Sequence, residues 1–414
     1  LFLKKILFIF FVPLFLYSQS LEELVNLAIQ NRLVESSKQK LDALKDEYRS
    51  VKGGYLPKLD LGAGYSVTDD ERPNVAHKSG NVYGSVNYNL YDGGKKYDIY
   101  DSYESSIKSN EKSVDALKND ISLTVITYYF NYLSYIAQKD AKIKEIEQLD
   151  AQMERLSRYF KAGTTTEDEV QKIISNVEVA KVELKEIDLN IITILHNLEY
   201  ITGTKVDITA GSNVNELQDV KEESARFDIQ SLEYDTQTSL SNAKAEKSGY
   251  LPTITLDNTF TYYDKEYNHA NNDLGNDVDH QNIASANLKW NIFSFGETKY
   301  KYEAKFKEYL ASKLNLEYEK NKANVDLQLS LKAYEIAKAK IASTEASLKA
   351  ADSAYTIIKS KYENGLVDNV AFLQSLSEKF DALSRYRASL NDIEIKRANV
   401  IYQSGEKLEE YIKW

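Results

Sequence analysis

The feature that most constrains the fold of this chain is an internal repeat with a period of about 200 residues. Three landmarks occur twice in the same order. They are Gly54-Tyr55-Leu56-Pro57 and Gly249-Tyr250-Leu251-Pro252, Asn89-Leu90-Tyr91 and Asn291-Ile292-Phe293, and Tyr159-Phe160-Lys161-Ala162-Gly163 and Lys361-Tyr362-Glu363-Asn364-Gly365. A shared order of landmarks indicates duplication, so each half is expected to build the same unit: a helix, two strands, a long helix, a turn and a return helix.

Four long stretches contain neither glycine nor proline, the two residues that destabilise a helix interior most. The helices predicted from them span residues 94–162, 166–202, 296–363 and 368–404. Two of these are roughly 65 residues long, which corresponds to rods of roughly 100 Å at about 1.5 Å per residue. A rod of this length must bury its apolar stripe against a neighbour.

The spacing of apolar residues predicts how these helices pair. After Gly163 they recur at alternating steps of three and four, the pattern of a coiled-coil seam. The stripe is Val170, Ile173, Val177, Ala180, Leu184, Ile187, Ile191, Ile194, Leu198 and Ile201, and the preceding helix offers Ile146, Leu149, Met153, Leu156 and Phe160. The two helices are therefore predicted to form an antiparallel hairpin that turns at Gly163. A second hairpin is predicted at Gly365, with a stripe interrupted by Arg387, Glu394 and Arg397.

Four segments alternate apolar and polar residues with a period of two, which predicts strands at residues 55–68, 81–92, 252–263 and 282–293. Each is about ten residues long, the length of a membrane-spanning β-strand. The alternative is an antiparallel sheet with one wet face in a soluble domain. Four strands leave open edges, however, and in lipid only a closed barrel satisfies every backbone group. One chain cannot close a barrel, whereas three copies would give twelve strands.

Composition excludes several functional classes. The net charge is -11 with a pI near 5.2, and without a basic stripe this argues against a nucleic-acid-binding protein. The chain has no cysteine, which excludes disulfides, thiolate chemistry and an acylated N-terminal cysteine. Residues 1–20 have the pattern of a secretory signal, with Lys4 and Lys5 before an apolar core. The mature protein is therefore expected outside the cytoplasm.

No motif indicates catalysis, so the chain is not expected to be an enzyme or to hold a cofactor or a metal. GxSxG, HExxH, GxxxxGK and GxGxxG patterns are all missing from the sequence. Asp273, Asp277 and Asp279 lie between His269 and His280 and could hold a cation, but solvated loop residues are the favoured interpretation.

The ordered set of landmarks resembles the TolC-like outer-membrane efflux proteins, also called outer membrane factors. The resemblance runs from Leu21 to about Ser404. It is carried by Tyr55-Leu56-Pro57, Tyr250-Leu251-Pro252, Asn89-Leu90-Tyr91-Asp92-Gly93-Gly94, Asn291-Ile292-Phe293-Ser294-Phe295-Gly296 and the turns at Gly163 and Gly365.

The resemblance implies an α+β membrane protein of two repeats, residues 21–202 and 225–404. It implies a homotrimer in which a 12-strand β-barrel, with four strands per chain, continues into a long antiparallel α-helical barrel. The linker 203–224 and the tail 405–414 are expected to form a belt around its middle. The expected location is the outer membrane of a Gram-negative bacterium, in contact with outer-membrane lipid and reaching into the periplasm.

The function implied is passive conduction of small toxic compounds in a tripartite efflux system. The partners implied are a periplasmic adaptor protein and an inner-membrane pump of RND or ABC type. Two alternatives stay open: the outer-membrane channel of a type I protein secretion system, and a trimeric coiled-coil surface protein that transports nothing.

The resemblance also indicates candidate site residues at the two helix turns. Acidic rings constrict the periplasmic mouth in this family, and the candidates here are Asp368, Glu167, Asp168 and Glu169. The best-known member has aspartates later in the second turn, where this chain has Ala371 and Gln374. The alternative is that these acids only stabilise helix N-termini. Gly163 and Gly365 mark the turns where an adaptor is expected to dock.

Overall fold

The computed structural model describes residues 18–70, 72, 75–218, 223–268 and 278–413. In chain order the elements are α1 (Leu21–Ala28), α2 (Arg32–Gly54), β1 (Lys58–Val67), β2 (Lys78–Tyr91), α3 (Lys95–Lys161), α4 (Glu167–Thr202), β3 (Asn213–Val214), α5 (Phe227–Glu246), β4 (Thr253–Glu266), β5 (His280–Lys289), α6 (Glu297–Glu363), α7 (Asn369–Ser404) and β6 (Ile412–Lys413). Short 3₁₀ turns, Lys247–Tyr250 and Leu408–Tyr411, precede β4 and β6. None of the described helices has both the length and the hydropathy needed to cross a membrane.

The chain forms two compact units. The strand unit comprises Ser36–Val114 and Phe227–Lys320, and the helical unit comprises the residues up to Glu35, Asp115–Arg226 and Asn321–Trp414. The chain therefore enters the strand unit twice, once in each repeat.

The strand unit contains one antiparallel sheet with the order β1-β2-β4-β5. The hairpin β1-β2 begins with Lys58 opposite Asn87, and the hairpin β4-β5 begins with Thr253 opposite Lys289. These pairs occupy equivalent positions in the two repeats, so both hairpins have the same register.

In the helical unit, one apolar cluster lies between the two helical hairpins. It contains the α4 stripe residues Val170, Ile173, Val177 and Ala180 with Leu149 and Leu156 of α3, and it also contains Tyr355 of α6 and Phe372, Leu376 and Phe380 of α7. The prediction that each hairpin packs on itself was therefore incomplete, because four helices share this core. The predicted stripe residue Phe160 is 45% exposed, since it lies in the last turn of α3 beside the Gly163 turn.

A second apolar cluster in the helical unit joins distant parts of the sequence. Side chains of α1, α3, α4 and α7 meet the linker and the tail there, among them Leu21, Ile126, Tyr129, Leu198, Val214, Ile401, Leu408 and Ile412. The linker and the tail also pair directly as β3 and β6, with Val214 opposite Ile412. The two segments that the resemblance placed in a belt thus contact each other.

The structure corrects the start of the first repeat. Its first helix is divided into α1 and α2, because Asn31 begins a new helix by accepting a hydrogen bond from Val34 N at 2.9 Å. Residues 1–17 of the predicted signal lie outside the described residues. Ser18–Ser20, however, belong to the fold: Gln19 N donates to Asp207 O at 2.6 Å, and Ser20 caps α1 through a reciprocal pair with Glu23. Cleavage after residue 20 would remove these contacts.

The strand bounds also differ from those predicted. The strand predicted at 55–68 begins only at Lys58, because Tyr55 and Leu56 still donate to the carbonyls of Lys52 and Gly53. The strands predicted at 81–92 and 252–263 reach to Lys78 and Glu266, because these two residues pair across the repeats and form a 3.0 Å ion pair.

The strand predicted at 282–293 begins at His280 and ends at Lys289. Its partner strand starts at Thr253, and the preceding Pro252 has no N–H to continue the ladder.

Candidate functional site: sheet edges and helix turns

The four-stranded sheet has one largely apolar face and one polar face. Residues directly opposite in an antiparallel pair share a face. The apolar face carries Leu59, Leu61, Val82, Val86, Leu256, Phe260, Tyr262 and Leu288, and the other face carries Asp60, Ser85, Asn87, Asp257, Thr259 and Ser285. All eight apolar side chains are exposed, Leu61 to 83%. An exposed apolar surface of this extent marks contact with lipid or with another protein.

The polar face is held together by amide-to-carboxylate hydrogen bonds. Asn287 donates to Asp257 at 3.0 Å, and Asn87 donates to Asp60 at 3.4 Å. These pairs link β5 to β4 and β2 to β1, one pair in each repeat.

The outer strands of the sheet each have one partner among the described strands. β1 pairs with β2, and β5 pairs with β4. Each therefore presents a free row of backbone donors and acceptors, which can pair with a strand of another chain.

The two helix turns have the same backbone geometry. Gly163 and Gly365 have φ values of +73° and +68°. In both turns the residue after the glycine donates to a carbonyl five residues earlier: Thr164 N to Tyr159 O at 2.9 Å, and Leu366 N to Lys361 O at 2.8 Å. Left-handed glycines with this bond terminate helices. Open space surrounds both glycines, and Leu366 is 72% exposed, so the second turn presents an apolar tip.

The predicted acidic residues each make a local interaction at a helix start. Asp368 caps α7 by accepting from Ala371 N at 2.9 Å. Glu167, Asp168 and Glu169 form the first turn of α4, where the helix dipole favours negative charge. Thr166 and Lys172 hold the pKa of Asp168 below its usual value through hydrogen bonds, and Glu169 accepts from Thr165 Oγ1.

Sequence reasoning missed a polar contact that joins the two helical hairpins. The buried Gln152 of α3 donates to Tyr362 Oη of α6 and, at 3.0 Å, to Asn369 Oδ1 of α7. Tyr362 in turn stacks on Phe372, with ring centroids 4.9 Å apart. The signal available in the sequence was a polar Gln152 between the stripe residues Leu149 and Leu156.

A groove of about 720 Å³ runs between α3, α4 and α7 and is lined by charged groups. Lys142 Nζ lies 2.6 Å from Glu145 and 2.7 Å from Glu183. Burial raises the pKa of Glu145, and the hydrogen bond from Lys142 opposes this. Burial lowers the pKa of Lys142, but its bonds to the two carboxylates outweigh burial and leave the pKa raised. Within the described ranges, no group of three or more His, Cys, Asp or Glu side chains could hold a metal ion.

The model of the outer membrane efflux protein family matches residues 24–204 and 220–401. The chain belongs to this family. Its two matched segments correspond to the two repeats, and the family places the protein in the outer membrane of a Gram-negative bacterium with an extension into the periplasm. Family members are channels, not enzymes.

Curated and solved relatives of this outer membrane efflux protein agree with the family assignment. The outer membrane protein TolC of Vibrio cholerae is 23% identical over 300 residues, covering 68% of this chain and 67% of TolC. The outer membrane protein VceC of Vibrio cholerae superimposes with a TM-score of 0.82 at 15% identity, over 94% of this chain and 96% of VceC. The CmeC outer membrane channel of Campylobacter jejuni superimposes with a TM-score of 0.82 at 18% identity, over 94% of this chain and 86% of CmeC.

Proposed function

We propose that this outer membrane efflux protein is the exit duct of a tripartite efflux system and passively conducts small toxic compounds to the exterior. The observation that carries the proposal is the four-stranded sheet, which has an exposed apolar face and whose outer strands each have one partner among the described strands. Three copies joined edge to edge give a closed barrel of twelve strands, which leaves no backbone group unpaired in lipid.

The difference between the two faces of the sheet indicates which face of the barrel contacts lipid. The face carrying Leu59 and Leu61 turns outward to lipid, and the face carrying Asp60 and Asp257 turns inward to water. The reverse orientation would put these two carboxylates against hydrocarbon at a large desolvation cost.

The helical unit supplies the periplasmic part of the duct, and its turns at Gly163 and Gly365 dock the periplasmic adaptor that connects to an RND or ABC pump. Two features support docking: the open space around both glycines and the exposed Leu366. Gly365→Trp is expected to abolish export, and Gly365→Ala, which strains the same φ without the bulk, to retain most of it. Equal export by the two variants and the wild type would exclude this turn as a docking point.

The acids at the turns line the periplasmic mouth in this proposal. Asp368 and the cluster Glu167 to Glu169 occupy the starts of α7 and α4, and a ring of carboxylates from three subunits would attract cations into a narrow pore. The helix-start interactions of these residues do not conflict with this, because the Asp368 side chain is exposed at the start of α7.

The deciding experiment combines conductance of the purified oligomer in a planar bilayer with the drug sensitivity of a strain that lacks the gene. The proposal expects large conductance steps and increased sensitivity to small toxic compounds. Without conductance the channel assignment fails and a non-transporting surface protein is favoured. Conductance with unaltered drug sensitivity would instead favour type I protein secretion.

A further inference from the structure

The two strand-to-helix junctions have the same backbone but different side chains. Gly93 and Gly94 follow β2 with φ values of +75° and +84°, and Phe295 and Gly296 follow β5 with +51° and +91°. The repeated landmarks place Phe295 at the position of Gly93. The second repeat thus holds a phenylalanine in a left-handed conformation that the first repeat gives to glycine.

The first junction packs against the second repeat within the same chain. A Cβ atom added to Gly93 would lie 2.7 Å from Ser248 O and 3.1 Å from Ser248 Cα. Only glycine fits so close to the backbone of the turn that leads from α5 to β4. The end of one repeat therefore contacts the helix-to-strand turn of the other.

At the second junction the Phe295 ring contacts Phe293 edge to face, with ring centroids 4.7 Å apart, but is otherwise open to solvent. Phe295 is 89% exposed. The landmarks make Gly53 the equivalent of Ser248, and a Cβ atom added to Gly53 or Gly54 would meet no atom within 4 Å. Phe295 and the turn at Gly53 thus correspond to Gly93 and Ser248, which touch each other within the chain. An exposed aromatic ring on a strained backbone and an open turn suit the same contact made between two chains.

The strand ends near the two junctions also differ: the end of β2 is paired within the chain, whereas β5 stops before the equivalent residues. The last residues of β2 pair with β4, with Tyr88 opposite Leu256 and Asn89 opposite Thr255. By the repeat, Trp290 and Asn291 correspond to Tyr88 and Asn89, but β5 ends at Lys289 before reaching them. Their partners would be the residues of β1 equivalent to Leu256 and Thr255.

We propose that Phe295 packs over Gly53 and Gly54 of a second copy of this chain and fixes the register of the strands at the subunit boundary. In that register Trp290 lies opposite Leu61 of the other copy. The side chains are complementary in size: small Gly93 faces Ser248 inside the chain, and large Phe295 faces Gly53 between chains. This inference rests on the proposed trimer and adds the residues that join its subunits.

Cysteine cross-linking tests the register, because the natural chain has no cysteine. In the purified oligomer, Trp290→Cys with Leu61→Cys, and Phe295→Cys with Gly53→Cys, are expected to form linked dimers and trimers on oxidation. The matched control is Tyr88→Cys with Leu256→Cys, the equivalent pair within one chain, which is expected to close without linking chains. Trp290→Cys with Ala63→Cys, shifted by two residues on the same face, is expected to link poorly.

Each result separates this inference from the proposed function. A trimeric wild type whose Phe295/Gly53 pair stays unlinked, or whose Trp290/Ala63 pair links as well as Trp290/Leu61, overturns the inference and leaves the channel standing. A wild type that is monomeric in detergent overturns both.

Phe295→Gly provides a second readout. It relieves the left-handed strain, so the folded content of the chain measured by circular dichroism is expected to stay unchanged while the oligomer dissociates at a lower temperature. Dissociation at the wild-type temperature would show that the aromatic ring does not hold the subunits together.

Discussion

The Asn119 side chain of α3 makes two hydrogen bonds with the backbone of the C-terminal segment just before β6. Its Oδ1 accepts from Leu408 N at 2.9 Å, and its Nδ2 donates to Glu406 O at 2.8 Å. Asn119 is buried, and Leu408 is fully buried in the apolar cluster of the helical unit. One asparagine thus attaches the tail to the long helix of the first repeat.

Asn119→Leu should release this tail. Leucine keeps the approximate size of the side chain but removes the acceptor of the buried Leu408 N–H, at a cost of about 1–3 kcal/mol. We expect faster amide hydrogen exchange at Leu408 and a lower unfolding temperature. Asn190→Leu, on an exposed position of α4, is the control and should change neither. Unchanged exchange at Leu408 would show that the apolar contacts alone hold the tail.

Gly405→Ala and Gly203→Ala should differ in their effect on stability. Both glycines end a helix at positive φ, +81° and +73°, so both substitutions carry a left-handed penalty of about 1–2 kcal/mol. A Cβ atom at Gly405 would also overlap the backbone of Ala225, whereas open space surrounds Gly203. Chemical denaturation is expected to show a clearly larger loss for Gly405→Ala. Equal losses would mean that the backbone near Ala225 moves aside easily.

Asp368→Asn separates charge from helix capping. Asparagine caps a helix as well as aspartate, so the variant should fold normally while each chain loses one negative charge at the start of α7. In planar bilayers we expect lower cation selectivity and weaker block by multivalent cations.

Asp368→Ala, which loses the cap at about 1 kcal/mol, is the companion variant. If Asp368→Asn conducts like the wild type, Asp368 is a capping residue only. The corresponding amide substitutions are then tested at Glu167, Asp168 and Glu169.

Glu145→Gln should change how stability depends on pH. Burial raises the folded-state pKa of Glu145, with further increases from Asp381 and Glu183 and an opposing effect of Lys142. A raised folded pKa gives stability that is complete below the unfolded pKa of about 4.3 and is lost as the pH rises through the folded value. Glutamine does not ionise, so the Glu145→Gln variant does not lose this stability as the pH rises.

The stability of Glu145→Gln relative to the wild type should therefore increase from about pH 4 to about pH 7. Thermal unfolding at several pH values measures this, with Glu147→Gln, an exposed residue on the same helix, as control. A constant difference across the range would show that Lys142 cancels the effect of burial.

The long helices could be predicted because their signals are local. The apolar stripe from Val170 to Leu198 is buried or half-buried throughout, and the absence of glycine and proline located α3, α4, α6 and α7 to within a residue or two. The division between α1 and α2 was missed because Asn31 starts a helix without any breaking residue. The pairing of β3 with β6 was missed because strands of two residues have no detectable period.

The candidate site was less predictable because strand ends and the roles of acidic residues depend on contacts between segments that are distant in sequence. The alternating pattern continued through Trp290 and Ile292, yet β5 ends at Lys289 in one chain. The acids at the helix turns could be found by sequence, but whether a carboxylate caps a helix or lines a pore depends on three-dimensional contacts that residue type does not encode.

The helical unit is assembled from three separated stretches of sequence, and its core brings Leu21 and Val25 together with Leu408 and Ile412. During export the chain emerges from its amino end, so the core around α1 stays incomplete until the residues around Leu408 and Ile412 arrive. Contacts of such long sequence separation form slowly, and the waiting intermediate is prone to aggregate. We therefore expect the amino-terminal segment of this protein to be open to aggregation until the carboxyl-terminal stretch that completes its core has been translocated.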